Sequence, residues 1–491
     1  MNTIGTVDER YQSYNLEMVE IMGGKWWAPY GTQPPAADSR LASEAGAQSS
    51  IGATPLRYQP PIDLTNVRLR KLAAALGPAY MRVSDTWANT MYFQDSDVTK
   101  PGPAPAGFGS VLTGPEWKGV IEFSKATNAK IVTSFSIGAG VRDETGVWTP
   151  VEAAKVLAFT RKAGGSIAAA EFFNEPNMAA IEGAPKGYDA ADYGRDFKVF
   201  RAYIRTTDPE MMILGPGPVG EGRVLGQMPS GIKTEDMLQA EGPGLDAVSY
   251  HFYGAVSQRC TSMGAAFQTT ADAALTKEWL FATDAEAAFY GKLRDRYEPG
   301  KPLWLSETAD AACGGNPWAA TFIDSFRYLN QLGTLATQGV KVVMHNTLTG
   351  SDYGLIDRDT LTPRPNYWAA VMWYKLMGTT VLDAGSSPAP NLYLYAHCLN
   401  GHPGGVALLA TNADRAAERE LRLPTASSRY TLSAPELLGT EVQLNGVDLK
   451  LSKDGDLPVI QGAHTPVGTV RLAPASITFL ALLNADNPSC R

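Results

Sequence analysis

Histidine, cysteine and positive charge are all scarce in this chain. The five histidines, His251, His345, His397, His402 and His464, form no HExxH or His-x-His pair, and the four cysteines, Cys260, Cys313, Cys398 and Cys490, form no CxxC. A catalytic zinc site, a zinc ribbon and a dithiol redox motif are therefore not expected, nor is any metal or cofactor. Lys and Arg number 42 against 50 Asp and Glu, for a formal net charge of −8. Nucleic-acid binding by phosphate neutralisation needs clustered cations. The one short cluster, Arg68-Leu69-Arg70-Lys71, reads better as the solvated face of a helix. No apolar run approaches the roughly 18–20 residues of a membrane span; Ile477–Leu483 is only of strand length. The absence of a G-x-S-x-G elbow disfavours a serine hydrolase, and no Walker sequence is present either. The N-terminal residues 1–13 lack the basic-then-apolar plan of a signal peptide. A secreted or periplasmic protein would then have lost a leader ahead of this numbering; the cytoplasm is the alternative, and an even cysteine count favours export.

What the chain does have is length and alternation. Its 491 residues allow one barrel-sized domain and a smaller one. Strand-like runs occur at 11–21, 79–85, 129–138, 166–173, 211–218, 245–254, 301–310 and 340–348, with helical spacing between them at 63–76, 151–163 and 319–338. Eight apolar strands alternating with amphipathic helices predict a (β/α)8 TIM barrel over 11–383. An open doubly wound sheet is disfavoured, because the first strand leads into "IMGGKWWAP" rather than a glycine-rich phosphate turn. From 384 to 491 short alternating runs broken by Gly, Pro and Asn predict an antiparallel β-sandwich, with residues 1–10 a candidate addition to it. Asn445-Gly446 within 442–451 predicts a type I′ hairpin. The Pro-, Ala- and Ser-rich stretch 32–62 is an insertion after the first strand, either shaping the cleft or simply tolerated at the surface.

The fourth run, "SIAAAEFFNEPNM" (166–178), delivers Asn174 and Glu175 together at a strand end, and the seventh, "LWLSETADAACGG", delivers Glu307. Two carboxylates at one barrel mouth are what acetal hydrolysis needs. One protonates the departing oxygen, and the other attacks the anomeric carbon or activates water. Asn174 can hold a sugar hydroxyl near the reacting carbon. His251 and Tyr253, at the sixth strand end, can face the acid and hydrogen-bond the nucleophile, or be ordinary core residues.

These residues resemble the retaining barrel glycosidases, and longer strings resemble glycoside hydrolase family 79, the heparanase-like β-glucuronidases. The strings are "LGPAYMRVSDT" (76–86), "FFNEPN" (172–177), "YHFY" (250–253), "LSET…GG" (305–315), "YLNQLGTLATQGVKVVMHNTLTGSDYGLID" (328–357), "NYWAAVMWYKLMGTTVL" (366–382), "LYAHCLN" (394–400) and "VQLNG" (442–446). The resemblance implies Glu175 as general acid/base and Glu307 as nucleophile. It also implies that Tyr353, with backbone N–H groups of Gly314 and Gly315, receives a substrate carboxylate, and that Glu17 and Thr86 contact the sugar. The implied substrate is a glucuronic-acid-containing glycan or a glucuronide, cut internally or at its end by a protein expected to be monomeric. Cys313 departs from the family tyrosine ahead of the glycine pair, which motivates a β-glucosidase or diglycosidase as the alternative; a silent glycan-binding protein is a further one. Cys398 and Cys490 resemble the family's sandwich disulfide. Cys260 and Cys313, on loops that neighbour each other in a barrel, form the other candidate pair. Where the mammalian member has an excised linker, this chain has only the short segment 94–110, so a single chain needing no proteolytic activation is expected.

Overall fold

The computed structural model describes residues 1–31, 56–222, 231–263 and 265–491. Eight parallel strands close into a barrel: β1 (Gln12–Glu17), β2 (Ala79–Ser84), β3 (Ala129–Thr133), β4 (Ile167–Ala170), β5 (Met212–Val219), β6 (Ala247–Val256), β7 (Leu303–Ala312) and β8 (Val340–His345). The three helices read from periodicity lie at Val67–Ala74, Val151–Lys162 and Asp324–Thr337. Tyr80, Val132, Ala169, Leu214, Ala247, Trp304, Val342 and Met344 make an apolar plug, with the Tyr80 and Trp304 rings 4.8 Å apart. The period-two pleat carries the same inward series from Tyr80 to Arg82 on β2, and from Ala247 through Ser249 to His251 and Tyr253 on β6. A polar layer thus sits above the plug at the C-terminal strand ends. On β7 the register slips: Tyr250 pairs with Leu305, but His251 pairs with Glu307. The extra residue, Ser306, lets it and Glu307 both reach the interior.

Of the insertion expected over 32–62, residues 32–55 lie outside the described residues. Its ends are tied, because Gly24–Trp27 and Leu56–Gln59 pair antiparallel. The second domain is a nine-stranded antiparallel sheet. It begins ahead of residue 384, since Met377–Leu382 is one of its strands and Thr3–Thr6 pairs with that strand. One face docks on the helix Asp324–Thr337. There Tyr395 donates to Asn330 Oδ1 at 2.6 Å, and a Cβ on Gly333 would stand 2.3 Å from the Tyr395 ring, so only glycine permits the approach. The other face is covered by a two-stranded ribbon, Arg419–Leu423 with Gly468–Leu472, burying Leu392, Leu408, Leu423, Val470 and Leu480 between the layers. The sandwich is lopsided because the barrel helices do part of the covering. Asn445 and Gly446 both have positive φ, 51° and 82°, as a type I′ turn requires. Cys398 is bonded to Cys490 and Cys260 to Cys313. Among the described residues no helix is long and apolar enough to cross a membrane.

Candidate active site

Glu175 follows β4 in the left-handed backbone region, φ 46° and ψ 57°, as the chain turns into Pro176–Met178. A residue with a side chain is held there at a cost of order 1–3 kcal/mol, a conformation that clusters at functional sites. Its Oε1 lies 3.0 Å from His251 Nδ1, and the same nitrogen lies 3.7 Å from Glu307 Oε2. One atom each of Glu175, His251 and Glu307 fall within 4.8 Å of one another. Such a trio could hold an ion; one member, Glu307, is already paired with a cation. Arg82 Nη1 donates to Glu307 Oε2 at 2.6 Å, Nε to Glu171 Oε2 at 2.9 Å, and Nη2 to Asn174 Oδ1 at 2.8 Å.

The other oxygen of Glu307 accepts from Tyr253 OH at 2.6 Å. Asn346, just beyond β8, donates through Nδ2 to that phenol oxygen at 3.0 Å, to Glu17 Oε1 at 2.6 Å and to Tyr353 OH at 3.2 Å. Thr86 donates to Glu182 Oε1 at 2.9 Å, and Asn174 Nδ2 donates to Glu182 Oε2 at 3.2 Å. Asn89 fixes the Asn174 backbone from both sides, accepting its N–H at 2.8 Å and donating to its carbonyl at 3.0 Å. The structure therefore brings Glu17, Thr86, Asn174, Tyr253, Glu307 and Tyr353 into one hydrogen-bonded network, with the bonded pair of Glu175 and His251 set 3.7 Å from Glu307. Sequence reasoning missed Arg82, Asn89, Glu171, Glu182, Ser306 and Asn346. Two of them carry a signal in hindsight, because Arg82 in "YMRVS" and Glu171 in "AAAEFF" are charges set inside apolar strand sequence.

Burial sets the baseline for every charge in this layer, and neighbours then separate them. Burial pushes the Glu175 carboxyl up, His251 opposes, and the negative charge of Glu307 adds to the rise, so the net shift is upward. Burial works to raise Glu171 as well, but Arg82, His251 and Ser306 outweigh it and hold it well below the usual carboxylate range. Burial pushes Glu17 well above that range, with Asp85 and Glu307 adding to it. For His251, burial works downward, yet the charge of Glu307, the nearby carboxylate of Glu171 and the bond to Glu175 push it up to about 9. Its stabilising contribution is full below the unfolded value of about 6.5 and is lost as pH rises through about 9. Urea unfolding should therefore show stability falling by roughly 3 kcal/mol across that window, with His251→Asn flattening the slope.

The glycine pair lies beside Tyr353, where a Cβ on Gly315 would be 3.2 Å from the Tyr353 Cβ. Gly314 has φ 83°, and a Cβ there would meet Ser351 Oγ at 2.5 Å and Arg259 Nη1 at 2.7 Å. Gly315 already gives its N–H to the Ala311 carbonyl at 3.2 Å. In this structure that N–H is thus engaged within its own turn. Arg259 knots the surrounding loops. Its Nη1 donates to the Ala28 carbonyl at 2.7 Å, its Nη2 pairs with Asp352, and its guanidinium lies 4.1 Å over the Tyr30 ring. The Cys260–Cys313 disulfide ties the loop that carries Arg259, after β6, to the loop after β7.

A closed parallel barrel with two glutamates converging at its C-terminal mouth is the architecture used by barrel glycoside hydrolases. No protein-family model matches the chain. It is 26% identical to heparanase-like protein 1 of Arabidopsis thaliana, covering 87% of this chain and 86% of that one. It is 28% identical to heparanase of Mus musculus, covering 75% and 69%, and 32% identical to baicalin-beta-D-glucuronidase of Scutellaria baicalensis over 36% of each. A solved 4-O-alpha-L-rhamnosyl-beta-D-glucuronidase from Fusarium oxysporum superposes on 97% of both chains with a TM-score of 0.61 at 13% identity, a likeness of fold. The chain thus has heparanase-like and glucuronidase relatives, at modest identity.

Proposed function

We propose that this protein is a retaining β-glucuronidase working by double displacement. The observation that carries the proposal is the close approach of Glu175 and Glu307, with one oxygen of each inside a 4.8 Å cluster around His251. That spacing fits the roughly 5–5.5 Å of retaining carboxyl pairs better than the wider inverting range. Glu307, both oxygens hydrogen-bonded by Arg82 and Tyr253, attacks the anomeric carbon. Glu175 protonates the departing oxygen. Its Oε1 accepts from His251 Nδ1–H, leaving Oε2 to carry the proton. Once Glu307 becomes an ester its charge no longer raises the Glu175 carboxyl, so Glu175 falls in pKa and serves as base for the attacking water. Asn174 anchors a sugar hydroxyl, and the Tyr353 phenol with the Gly314 N–H receives the uronate. Both disulfides favour an oxidising compartment, so the proposal includes export from the cytoplasm.

A second reading, a β-glucosidase, is favoured by Cys313 in place of an aromatic and by the Gly315 N–H being already engaged. Comparing aryl β-D-glucuronide with aryl β-D-glucoside separates the two. The uronide should be preferred at least about 100-fold in kcat/KM, with the β anomer formed first by NMR. Preference for the glucoside would replace the first reading, and an α product would remove retention.

A further inference from the structure

The turn after β7 carries three successive residues in the left-handed backbone region, Cys313, Gly314 and Gly315, with φ of 64°, 83° and 86°. The glycines take that conformation freely, but Cys313 has a Cβ and does not. Hydrogen bonds hold the later part of the turn. Ser351 Oγ and the Asp352 N–H both donate to the Gly314 carbonyl, at 2.9 and 3.2 Å, and Ser257 Oγ donates to the Gly315 carbonyl at 2.6 Å. The Asn316 N–H donates to Asp310 Oδ2 at 2.9 Å. The earlier part is held differently. Among the described residues neither the Cys313 carbonyl nor the N–H of the buried Gly314 has a hydrogen-bond partner, and what grips the peptide they share is the Cys313 side chain. That side chain is bonded to Cys260, which is 2% exposed and next in sequence to Arg259.

We propose that the Cys260–Cys313 disulfide is a positioning element for substrate recognition, fixing the Cys313–Gly314 peptide so that the Gly314 N–H, beside the Tyr353 phenol, is presented to a uronate. A backbone donor selects a carboxylate when its direction is set in advance. With the disulfide open, residue 313 is free to leave the left-handed region, and the peptide plane turns with it. Arg259 cannot stand in for the lost donor, because its guanidinium is engaged by Ala28, Ser351 and Asp352. The bonds of Glu175 to His251 and of Glu307 to Arg82 and Tyr253 do not pass through this turn. Opening the disulfide therefore acts on the choice of sugar and leaves the hydrolytic machinery in place. The inference rests on the glucuronidase reading, because a uronate is what the Gly314 N–H is there to receive.

The test uses the full chain with Cys260→Ser and Cys313→Ser combined, assayed on 4-methylumbelliferyl β-D-glucuronide and the corresponding glucoside. KM for the glucuronide is expected to rise at least about tenfold, the scale of one charge-assisted hydrogen bond, with kcat within about threefold of wild type. The glucoside should be unaffected, so the uronide-to-glucoside ratio of kcat/KM falls by the same factor. A bond that served folding alone would lower both substrates together. The wild-type sequence gives a second measure, independent of any variant's folding. It is produced with its four cysteines as thiols, confirmed by mass spectrometry, and assayed before and after closure by glutathione disulfide. In closure each cysteine pair gives up two electrons and two protons to form its S–S bond, and glutathione disulfide takes them up to become two glutathione thiols. The Cys398–Cys490 bond closes too, but it lies in the second domain and acts on both substrates alike. Closure should raise the uronide-to-glucoside ratio at least about tenfold. A ratio unmoved by closure, or unmoved in the folded double variant, overturns the inference while leaving the glucuronidase reading in place. Preference of the fully oxidised wild type for the glucoside overturns that reading and the inference with it.

Discussion

Glu307→Gln is expected to lower kcat/KM for an aryl β-glucuronide on the order of 10⁶-fold, the scale seen when a covalent nucleophile is removed. The amide is nearly isosteric and can still accept from Tyr253 OH, so folding should survive and the loss should fall on chemistry. Glu175→Gln should behave differently. With a poor leaving group the loss is about 10²–10⁴-fold, the range for general acid catalysis, and with a strongly acidic phenol the first step needs little protonation and the loss shrinks. Azide distinguishes the two positions by stereochemistry. In Glu175→Ala it can attack the glucuronyl ester and release the β-glucuronyl azide. In Glu307→Ala it can replace the missing carboxylate directly and give the α-azide. The same azide anomer from both variants would mean that the roles of acid and nucleophile are wrongly divided.

The barrel was legible because its signal is repetitive. Eight apolar runs spaced by amphipathic helices leave few folds to choose from, and the two glutamates stand where such runs break. What escaped was information carried by the inside of the strands. Arg82 and Glu171 read as interruptions of apolar sequence, and their meaning comes only from strand pairing across the barrel, which puts the guanidinium 2.9 Å from one carboxylate and 2.6 Å from the other. The slip in register at Ser306 is likewise invisible in a one-dimensional pattern, yet it sets Glu307 level with His251. Glu182 lies in an irregular loop with no periodicity, so only contacts could single it out. Gly315 shows the opposite case. Its identity is plain in the sequence, but the partner of its N–H is decided by the turn it closes with Ala311.

Arg82→Met is expected to be the most destabilising single change in the barrel layer, by about 3–5 kcal/mol at neutral pH. Arg82 is fully buried, and so is Glu171, while the Glu307 side chain is 9% exposed. Removing the guanidinium leaves two carboxyl groups with a shared cation gone and strands the Asn174 side-chain oxygen, Oδ1. Glu171 then keeps only His251 and Ser306 against its burial, and its pKa is expected to rise from well below the ordinary range to above it. The sign of the pH dependence follows. In the wild type, the contribution of Glu171 is present above its unfolded value of about 4.3 and fades as pH falls below it. In the variant, an ionised Glu171 is a penalty at pH 7, and it is relieved as the pH drops and the group takes up a proton. The stability gap between the two proteins in urea should therefore narrow steadily from pH 7 towards pH 4.5. A gap that is constant with pH would mean that Arg82 acts through packing rather than through charge. Arg82→Lys offers the finer comparison. It keeps the positive charge but cannot present three donors to Glu171, Glu307 and Asn174 at once. It should recover most of the stability lost by Arg82→Met and little of the turnover, because Glu307 Oε2 and the Asn174 amide would no longer be held on one planar group.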